Sequence, residues 1–585
     1  MTSIAENQPR VERVDDIPVI YGLLERMGIG AIIDAVIKAH GNWQGLSPGQ
    51  VITVWLMHIL SEQNHKMEPV QQWAGRRLYL LESLLGTAIS EFDFTDDRLA
   101  LCLRDLSKTS AWQAIEQAIG RRLLRVYDLP SETLRLDATV GSVYHEPEQP
   151  TLFAVGKAKN GQYATQFKLM MASLDPLGLP LVVDVKPGNQ ADDPLYVPSY
   201  QRAKALLNRD SLLVVGDSKM SARTTRGTIA AGQDSYLAPL ADKKDEPELL
   251  VQLLEEWLVE EAASTPIFLP EDLPADGRAP DPTLAIACAF EVTRMQEAMV
   301  EGEAVTWEER LLVVRSYSYQ QSTLASFRRR LAKAEAALWA LTPPRQRGKT
   351  QIQTEHELRA AMAQIEQRYE VQGFFTYAYQ QEVTERALRP YKDKPARVAR
   401  SVRYQLTVHR NAAAIAAAEA ASGWRLYATN APPERLPLTT AVLTYRDQIV
   451  HENIFRRLHG KALSLTPLYV QREDHAQGLI HLLTIAVRVL ALGDYLAREA
   501  LALTGEALAG VYAGNPNRST PRPTTERMLK TFEGITLIFL AQGERLTTIL
   551  TQFSQVHARI LAILGLQPSL FSALQAACTR ATSVR

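Results

Sequence analysis

Two aspartates stand in apolar runs where a charge is costly. Asp137 lies in LRLDATV (134–140) and Asp217 in LLVVGDS (212–218). A carboxylate in or at the end of a buried strand must be paired or bind a cation. Either aspartate alone is equally well explained as a strand-end residue bonding a turn. Two such strands in one region favour a shared site, because neighbouring strands bring carboxylates together, and such oxygens suit hard cations like Mg²⁺. A third acid stands in YRDQIVHENIFRRLHGK (445–461). Read as one helix, this stretch puts Tyr445, Gln448, Glu452, Phe455, Arg456 and His459 on one broad face by i, i+3 and i+4 spacing. The pattern suits a reactive face holding an acid, an aromatic ring, a base and an imidazole. It also suits an ordinary amphipathic face. Lys219, Arg223 and Arg226 follow Asp217 and read either as phosphate contacts or as a solvated face. His145, His451, His475 and His481 show no metal-ligand spacing and read as surface or core histidines.

The elements that must position these residues follow from local signals. Residues 1–130 read as a helical domain. Segment 47–63 has Ser47 as N-cap and Pro48 at the first helical position. Segment 95–107 opens with Thr95 and an acidic first turn, and a further helix opens at Ser110. On periodicity alone this domain is either a plain helical domain or a DNA-contacting one. From 131 to 239 the runs 134–140, 166–174, 179–185 and 212–218 read as strands separated by turn signals, with a helix at 194–208 before the fourth. They predict an α/β sheet with an antiparallel hairpin portion. Residues 240–422 form a heterogeneous, insertion-like module. It holds an acidic stretch (241–261, net −6), strand-like runs at 284–293 and 310–319, and a helical pair (321–341 and 351–371) joined by a basic tip. It ends in a basic stretch, 386–403, of net +6. There Arg397, Arg400 and Arg403 are candidates to track a phosphate backbone, or to be neutralised by the acidic stretch. Strand character resumes in 424–430, within 423–500. From about 437 onward, including 501–585, everything reads as helical except the break at 514–524.

Taken together, Asp137, Asp217 and the Tyr445–His459 stretch resemble the DDE transposases of bacterial insertion sequences, and among them the IS-four-type superfamily with the YREK signature. Tyr445 and Glu452 fit the signature's spacing, with Gln448 where Arg is expected and His459 where Lys is expected. GKAKNGQYATQFKLMMASLDPLGLPLVVDVKPGNQADD (156–193) is similar to the stretch between the two aspartates of such enzymes. ENIFRRLHGKALSLTPLY (452–469) is similar to the helix and following segment that carry their glutamate. The helical region before residue 110 resembles the extra domain of one branch.

The resemblance implies an RNase H-like core, a mixed sheet flanked by helices. A large insertion domain interrupts it, and helical regions lie at both ends. It implies an acidic triad of Asp137, Asp217 and Glu452 holding two Mg²⁺ or Mn²⁺ ions, and cut-and-paste chemistry on DNA. It further implies that Tyr445, Gln448, Arg456, His459 and Lys461 grip DNA near the cut. The partners are double-stranded DNA, both element ends and target, and a second copy of the chain in a synaptic complex.

Composition sets the outer limits. Hydrophobic residues are 46% and charged residues 22%, which excludes a disordered or low-complexity chain. Net charge is −1, so nucleic-acid contact must come from local clusters, not from a uniformly basic surface. Cys102, Cys288 and Cys578 are far apart and suggest neither a disulfide framework nor a zinc site. The polar N-terminus lacks the apolar segment of a signal peptide, and no apolar run is long enough for a membrane span, so a cytoplasmic setting is expected. Two other classes also fit the residues: a catalytically inactive, transposase-derived DNA-binding protein, and an RNase H-like nuclease that only hydrolyses.

Overall fold

The computed structural model describes residues 10–39, 41–144, 151–157, 161–240, 248–260, 264–344, 351–390, 395–447, 449–542, 545–551 and 553–576. The chain divides into two compact units. The first comprises Met1–Ala238, Met295–Glu308 and Thr444–Arg585, and the second Pro239–Arg294 and Glu309–Leu443.

A short strand, β1 (Arg10–Arg13), precedes seven helices: α1 (Ile17–Met27), α2 (Ile29–Val36), α3 (Pro48–Glu62), α4 (Glu68–Gly75), α5 (Leu78–Leu85), α6 (Asp96–Ser107) and α7 (Thr109–Tyr127). Their starts follow from capping chemistry. At α3, Ser47 Oγ accepts the Gln50 N–H at 3.2 Å, and the Gln50 side chain accepts the Ser47 N–H at 3.0 Å. That exchange satisfies two donors left open at the helix start. At α6, Asp96 and Asp97 occupy the first turn, where the helix dipole favours anions.

The sheet follows: β2 (Thr133–Ser142), β3 (Ala154–Lys157), β4 (Tyr163–Asp175), β5 (Leu179–Pro187), β6 (Leu213–Gly216) and β7 (Ser235–Pro239), with α8 (Tyr196–Leu207) and α9 (Arg223–Ala231) between the later strands. β4 pairs antiparallel with β2, β3 and β5, whereas β6 runs parallel to both β2 and β7. The sheet is therefore mixed, with an antiparallel half and a parallel half. β6 is buried at every position, as a parallel strand covered on both faces must be.

The second unit contains α10 (Leu249–Glu260), β8 (Thr265–Ile267), parts of β9 (Ala287–Val300) and β10 (Glu303–Ser316), whose residues Met295–Glu308 belong to the first unit, α11 (Tyr317–Trp339), α12 (Glu355–Tyr369), β11 (Phe375–Leu388), β12 (Arg397–Arg410), α13 (Ala412–Ala420) and β13 (Trp424–Thr429). Its sheet runs β13-β10-β9-β8. Helices α11 and α12 pack together through Phe327, Leu331, Leu338, Leu358 and Met362, joined by Leu406 and Val408 of β12. The basic tip between them, at 345–350, lies outside the described residues. Within the basic stretch 386–403, residues 386–388 and 397–403 form the distal part of a two-stranded ribbon. β11 and β12 pair without interruption from Phe375↔Arg410 to Leu388↔Arg397. Their near halves join the core, whereas the far half is mostly exposed.

The chain then returns to the first unit through α14 (Leu438–Arg446), α15 (Ile449–His459) and α16 (Glu473–Thr504). The last stretch departs from the all-helical expectation. Four strands occur there: β14 (Leu508–Ala509), β15 (Ser519–Thr520), β16 (Thr536–Gln542) and β17 (Arg545–Leu550). β16 pairs with β17 and also with β1, from the other end of the chain. The β-branched and aromatic residues of TLIFLAQ fit a pleated surface, but their partner in β1 is beyond any local signal.

α16 is the axis of the first unit. By length and composition it could cross a bilayer, yet 89% of its apolar window is buried inside the protein. It holds Arg488, 1% exposed, against Glu116 of α7 at 3.0 Å. Glu116 also accepts from Arg202 of α8 at 2.6 Å and from the Val183 N–H of β5 at 2.9 Å. One buried carboxylate thus ties two helices and a strand to the central helix. Where α16 meets α6 the helices touch backbone to backbone: a Cβ on Gly478 would lie 2.0 Å from the Leu103 carbonyl oxygen. A backbone atom cannot swing aside as a side-chain tip can. Gly478→Ala is therefore expected to lower stability by about 1–3 kcal/mol or more, read as a lower urea midpoint at unchanged slope. An unchanged midpoint would mean that the helices separate without cost.

Candidate functional site

β2 and β6 are adjacent and parallel, and Leu136 is level with Gly216 in their register. The next residue on each chain is an aspartate. Asp137 and Asp217 therefore sit side by side, on strands spaced roughly 4.8 Å apart. Both line one small pocket with Arg135, Leu136, Val215, Gly216, Tyr445 and His451. Asp217 Oδ1 accepts the Tyr196 O–H at 2.6 Å and the Lys219 N–H at 2.9 Å. Asp137 Oδ1 accepts the Ala138 N–H at 2.7 Å. Burial raises the Tyr196 phenol far above its usual range, and the Asp217, Asp137 and Asp192 carboxylates add to the effect. Tyr196 thus stays a protonated donor beside a concentration of negative charge. Two adjacent carboxylates, with no thiolate among the pocket residues, form a donor set that fits a hard divalent cation. Among the described residues, no group of three or more His, Cys, Asp or Glu side chains is arranged to hold a metal ion.

Helix α15 covers the same strand. His451 is 1% exposed, and its Nδ1 shares a hydrogen bond with Ser173 Oγ at 2.9 Å. Ser173 is level with Arg135 across β4 and β2. At the other end of α15, the His459 ring bonds Thr139 Oγ1 at 3.3 Å and Thr466 Oγ1 at 3.1 Å. Arg135, Asp137 and Thr139 alternate along β2 and so share one face. α15 lies along that face, parallel to the strand. Arg457 fixes the helix from behind through Asp494 at 2.9 Å and Glu526 at 2.7 Å.

Of the residues expected from sequence, the structure brings Asp137, Asp217 and Tyr445 together. Glu452 follows His451 directly but is exposed and does not line the pocket. Arg456 and Lys461 are also exposed, and His459 is half-buried between its threonines. Gln448 lies outside the described residues. The stretch 445–461 is not one helix. α14 ends at Arg446 with Tyr445 in its last turn, and α15 starts at Ile449. Asp447 between them is a poor helix-interior residue, because its side chain competes for backbone donors. Within α15, Phe455 packs inward, edge-on to His451 at 4.8 Å, whereas Glu452 is exposed. Arg226 is buried, its Nε donating to the Ser221 carbonyl at 2.8 Å, so it does not meet a phosphate at the surface. Arg397, Arg400 and Arg403 lie on β12 of the ribbon, in the second unit.

Two residues escaped the sequence reading, Arg135 and Tyr196, whereas His451 was read as a surface or core histidine and is buried. For Arg135 a signal existed, since polar residues alternate at 135, 137 and 139 in an apolar strand. Arg135 bonds Asp175 at 2.9 Å and also donates to the Thr444 carbonyl, just before Tyr445. Tyr196 and His451 carry no local mark that separates them from core residues.

A family described as "Domain of unknown function (DUF4277)" matches residues 9–119. No curated protein matches the chain. Among solved structures, the chain is similar to the piggyBac transposase of a synaptic complex with hairpin DNA, determined by cryo-EM. Identity is 9%, the match covers 99% of this chain and 88% of that chain, and the TM-score is 0.36. A TM-score at that level does not establish a shared fold.

The Arg135 contacts generate a stability test. Arg135→Met leaves the Asp175 carboxylate buried without its counter-charge, which is expected to cost about 3–5 kcal/mol. Burial already holds the Asp175 carboxyl above its usual range, and Arg135 opposes that rise. A raised folded-state value favours the protonated form. The stability it contributes is full below the ordinary carboxyl value and is lost as pH rises through the folded one. The deficit of the variant should therefore be smallest near pH ~4 and grow towards neutrality. Urea denaturation across that range measures it, and a deficit that shrinks with rising pH would mean that another group controls the site.

Proposed function

We propose that the chain is a DDE-type DNA transposase that binds the ends of its own element and carries out metal-dependent strand cleavage and strand transfer. The observation that carries this reading is the pair Asp137 and Asp217, level on adjacent parallel strands and facing one pocket under the helix that bears Glu452. The mixed sheet flanked by helices agrees with the RNase H-like core that the sequence resemblance implies. Asp137 and Asp217 would hold Mg²⁺ or Mn²⁺, with Glu452 as the third carboxylate. When bound, two such ions clamp the attacking and leaving oxygens of an in-line displacement at phosphorus. Tyr445, beside the carboxylates, offers a ring on which a distorted base stacks. Arg456 and Lys461, exposed on and just after α15, meet the backbone near the cut. The ribbon arginines bind DNA further out, and a second copy completes the synaptic complex.

A second reading has its own observation. Among the described residues Glu452 is not assembled with the two aspartates, which favours a DNA-binding derivative without cleavage. One assay separates the two, and separates both from a purely hydrolytic nuclease. DNA carrying the inverted repeats that flank the gene is incubated with the full chain and Mg²⁺ or Mn²⁺, and nicking and strand transfer are scored separately. Cleavage with transfer is expected, with loss of more than about 100-fold in Asp137→Asn, Asp217→Asn and Glu452→Gln while DNA binding persists. Near-normal cleavage by Asp217→Asn would refute the triad. Excess chelator should abolish the reaction, and Ca²⁺ should support binding without efficient chemistry. Full activity in chelator would sink the metal mechanism.

The ribbon gives a separate measurement. Replacing Arg397, Arg400 and Arg403 with Ala should weaken DNA binding and flatten the slope of log K against log salt by up to ~0.9 per lost phosphate contact. An unchanged slope would show that these charges are neutralised within the protein.

A further inference from the structure

Four large side chains stand in solvent at one end of the first unit's sheet. Tyr144 is 73% exposed, Tyr163 75%, Tyr469 71% and Val155 60%. Pairing makes them neighbours. The Val143 N–H donates to the Thr165 carbonyl at 3.0 Å, and Val155 is level with Thr165 across β3 and β4. Val143 also forms a parallel bridge with Leu468. Tyr144 and Tyr469 each follow one partner of that bridge, and their rings stack at 5.9 Å and 12°. Two parallel rings, bonded to no core and open to water, present a flat π surface.

Beside this end of the sheet runs a groove of about 570 Å³, lined by Lys157, Tyr163, Gln166, Lys168, Asn189 and Gln190 among others. The Lys168 ammonium is held by the Gln190 carbonyl and the Asp192 carboxylate. Lys157 is exposed. Lys157 therefore offers a cation for phosphate, and Asn189 and Gln190 offer amides for base edges, whereas Gln166 is buried with its amide on the Gly188 carbonyl. Thr139 also lines it, two residues along β2 from Asp137. The hydroxyl of Thr139 bonds His459, whose other ring nitrogen bonds Thr466, three residues before Tyr469. One histidine thus ties the carboxylate strand to the loop that bears the platform.

We propose that Tyr144 and Tyr469 form a stacking platform for unpaired DNA bases, with the strand's backbone following the groove past Lys157. This rests on the reading of the chain as a DNA-acting protein and adds to it a preference for single-stranded DNA at the end of the strand that carries Asp137. Base–aromatic stacking is sequence-tolerant, because every base has a π face, and a cationic groove supplies the matching charge. From Asp137 to Tyr144 is roughly 23 Å along the strand, which separates the platform from the cut itself.

The test uses the full chain in chelator, so that no chemistry intervenes. The probe is a single-stranded oligonucleotide of about 12 nucleotides carrying 2-aminopurine, whose fluorescence is quenched on stacking, with the blunt duplex of the same sequence beside it. The parent chain should bind the single strand and quench it. The double variant Tyr144→Ala, Tyr469→Ala should bind it roughly 10- to 100-fold more weakly and lose the quench, with duplex binding little changed. Tyr144→Phe, Tyr469→Phe keeps the rings and should keep both signals. Unchanged affinity and quench in the Ala variant would overturn the proposal, as would an equal loss on single strand and duplex. A change only in sedimentation, from dimer to monomer, would overturn it too, by showing the tyrosines to be a contact between copies. Cleavage of element-end DNA in Mn²⁺ is scored apart. Stacking without cleavage keeps the platform and removes the transposase chemistry, whereas cleavage without stacking removes the platform alone.

Discussion

Arg135 is the contact on which the arrangement of the pocket depends. It is buried, and it spends its charge on Asp175 and a further N–H on the Thr444 carbonyl. The first contact binds β2 to the far end of β4. The second binds β2 to the point where the chain re-enters the first unit, immediately before Tyr445. A guanidinium can do both because its donors point in fixed, divergent directions. Without it, the Thr444 carbonyl would lose this donor and the pocket one of its lining side chains. The cost is a buried ion pair, which is a device for fixing geometry more than a source of stability.

The rest of the first unit holds that strand still. α16 runs through its centre, buried along most of its length, and the Glu116–Arg488–Arg202 cluster joins it to α7, α8 and β5. α8 in turn delivers the Tyr196 hydroxyl to Asp217. A buried hydrogen-bonded network has one low-energy arrangement, because each displaced partner leaves a polar group unpaired in a low-dielectric interior. The scaffold therefore transmits little slack to the aspartates. Arg457 does the same for α15, through Asp494 of α16.

The three carboxylates are not held alike. Asp137 sits in β2 and Asp217 directly after β6, and the ladder that ends at Leu136 and Gly216 fixes their separation. Glu452 sits in the first turn of α15, with its side chain in solvent. Its neighbour His451 takes the inward position, where burial and Arg135 push the imidazole down to about 3 and keep it neutral. A residue at a helix start adjusts its direction more cheaply than one in a ladder, because few hydrogen bonds must change. The pocket thus holds two fixed aspartates, and Glu452 stands outside it on a more adjustable part of the chain.

Much of this was legible in the sequence, where the physics is local. The strands around Asp137 and Asp217 announced themselves by β-branched runs between turn signals, and α3 and α6 by their capping residues. Costly aspartates in apolar strands pointed to the pocket before any fold was known. What the sequence could not determine depends on distant partners. The pairing of residues 10–13 with 536–539 has no local signature, so the last stretch read as helix. The +6 stretch read as a charge cluster, whereas its residues 386–388 and 397–403 are the distal part of a ribbon, where strand pairing lets arginines alternate over two faces. The break at Asp447 separates Tyr445 from α15, and the packing of α15 on the sheet, with His451 against Ser173, leaves His451 and Phe455 inward and Glu452 outward. Tertiary structure alone set the level register of the two aspartates, since a shift of one residue between β2 and β6 would send one of them to the opposite face of the sheet.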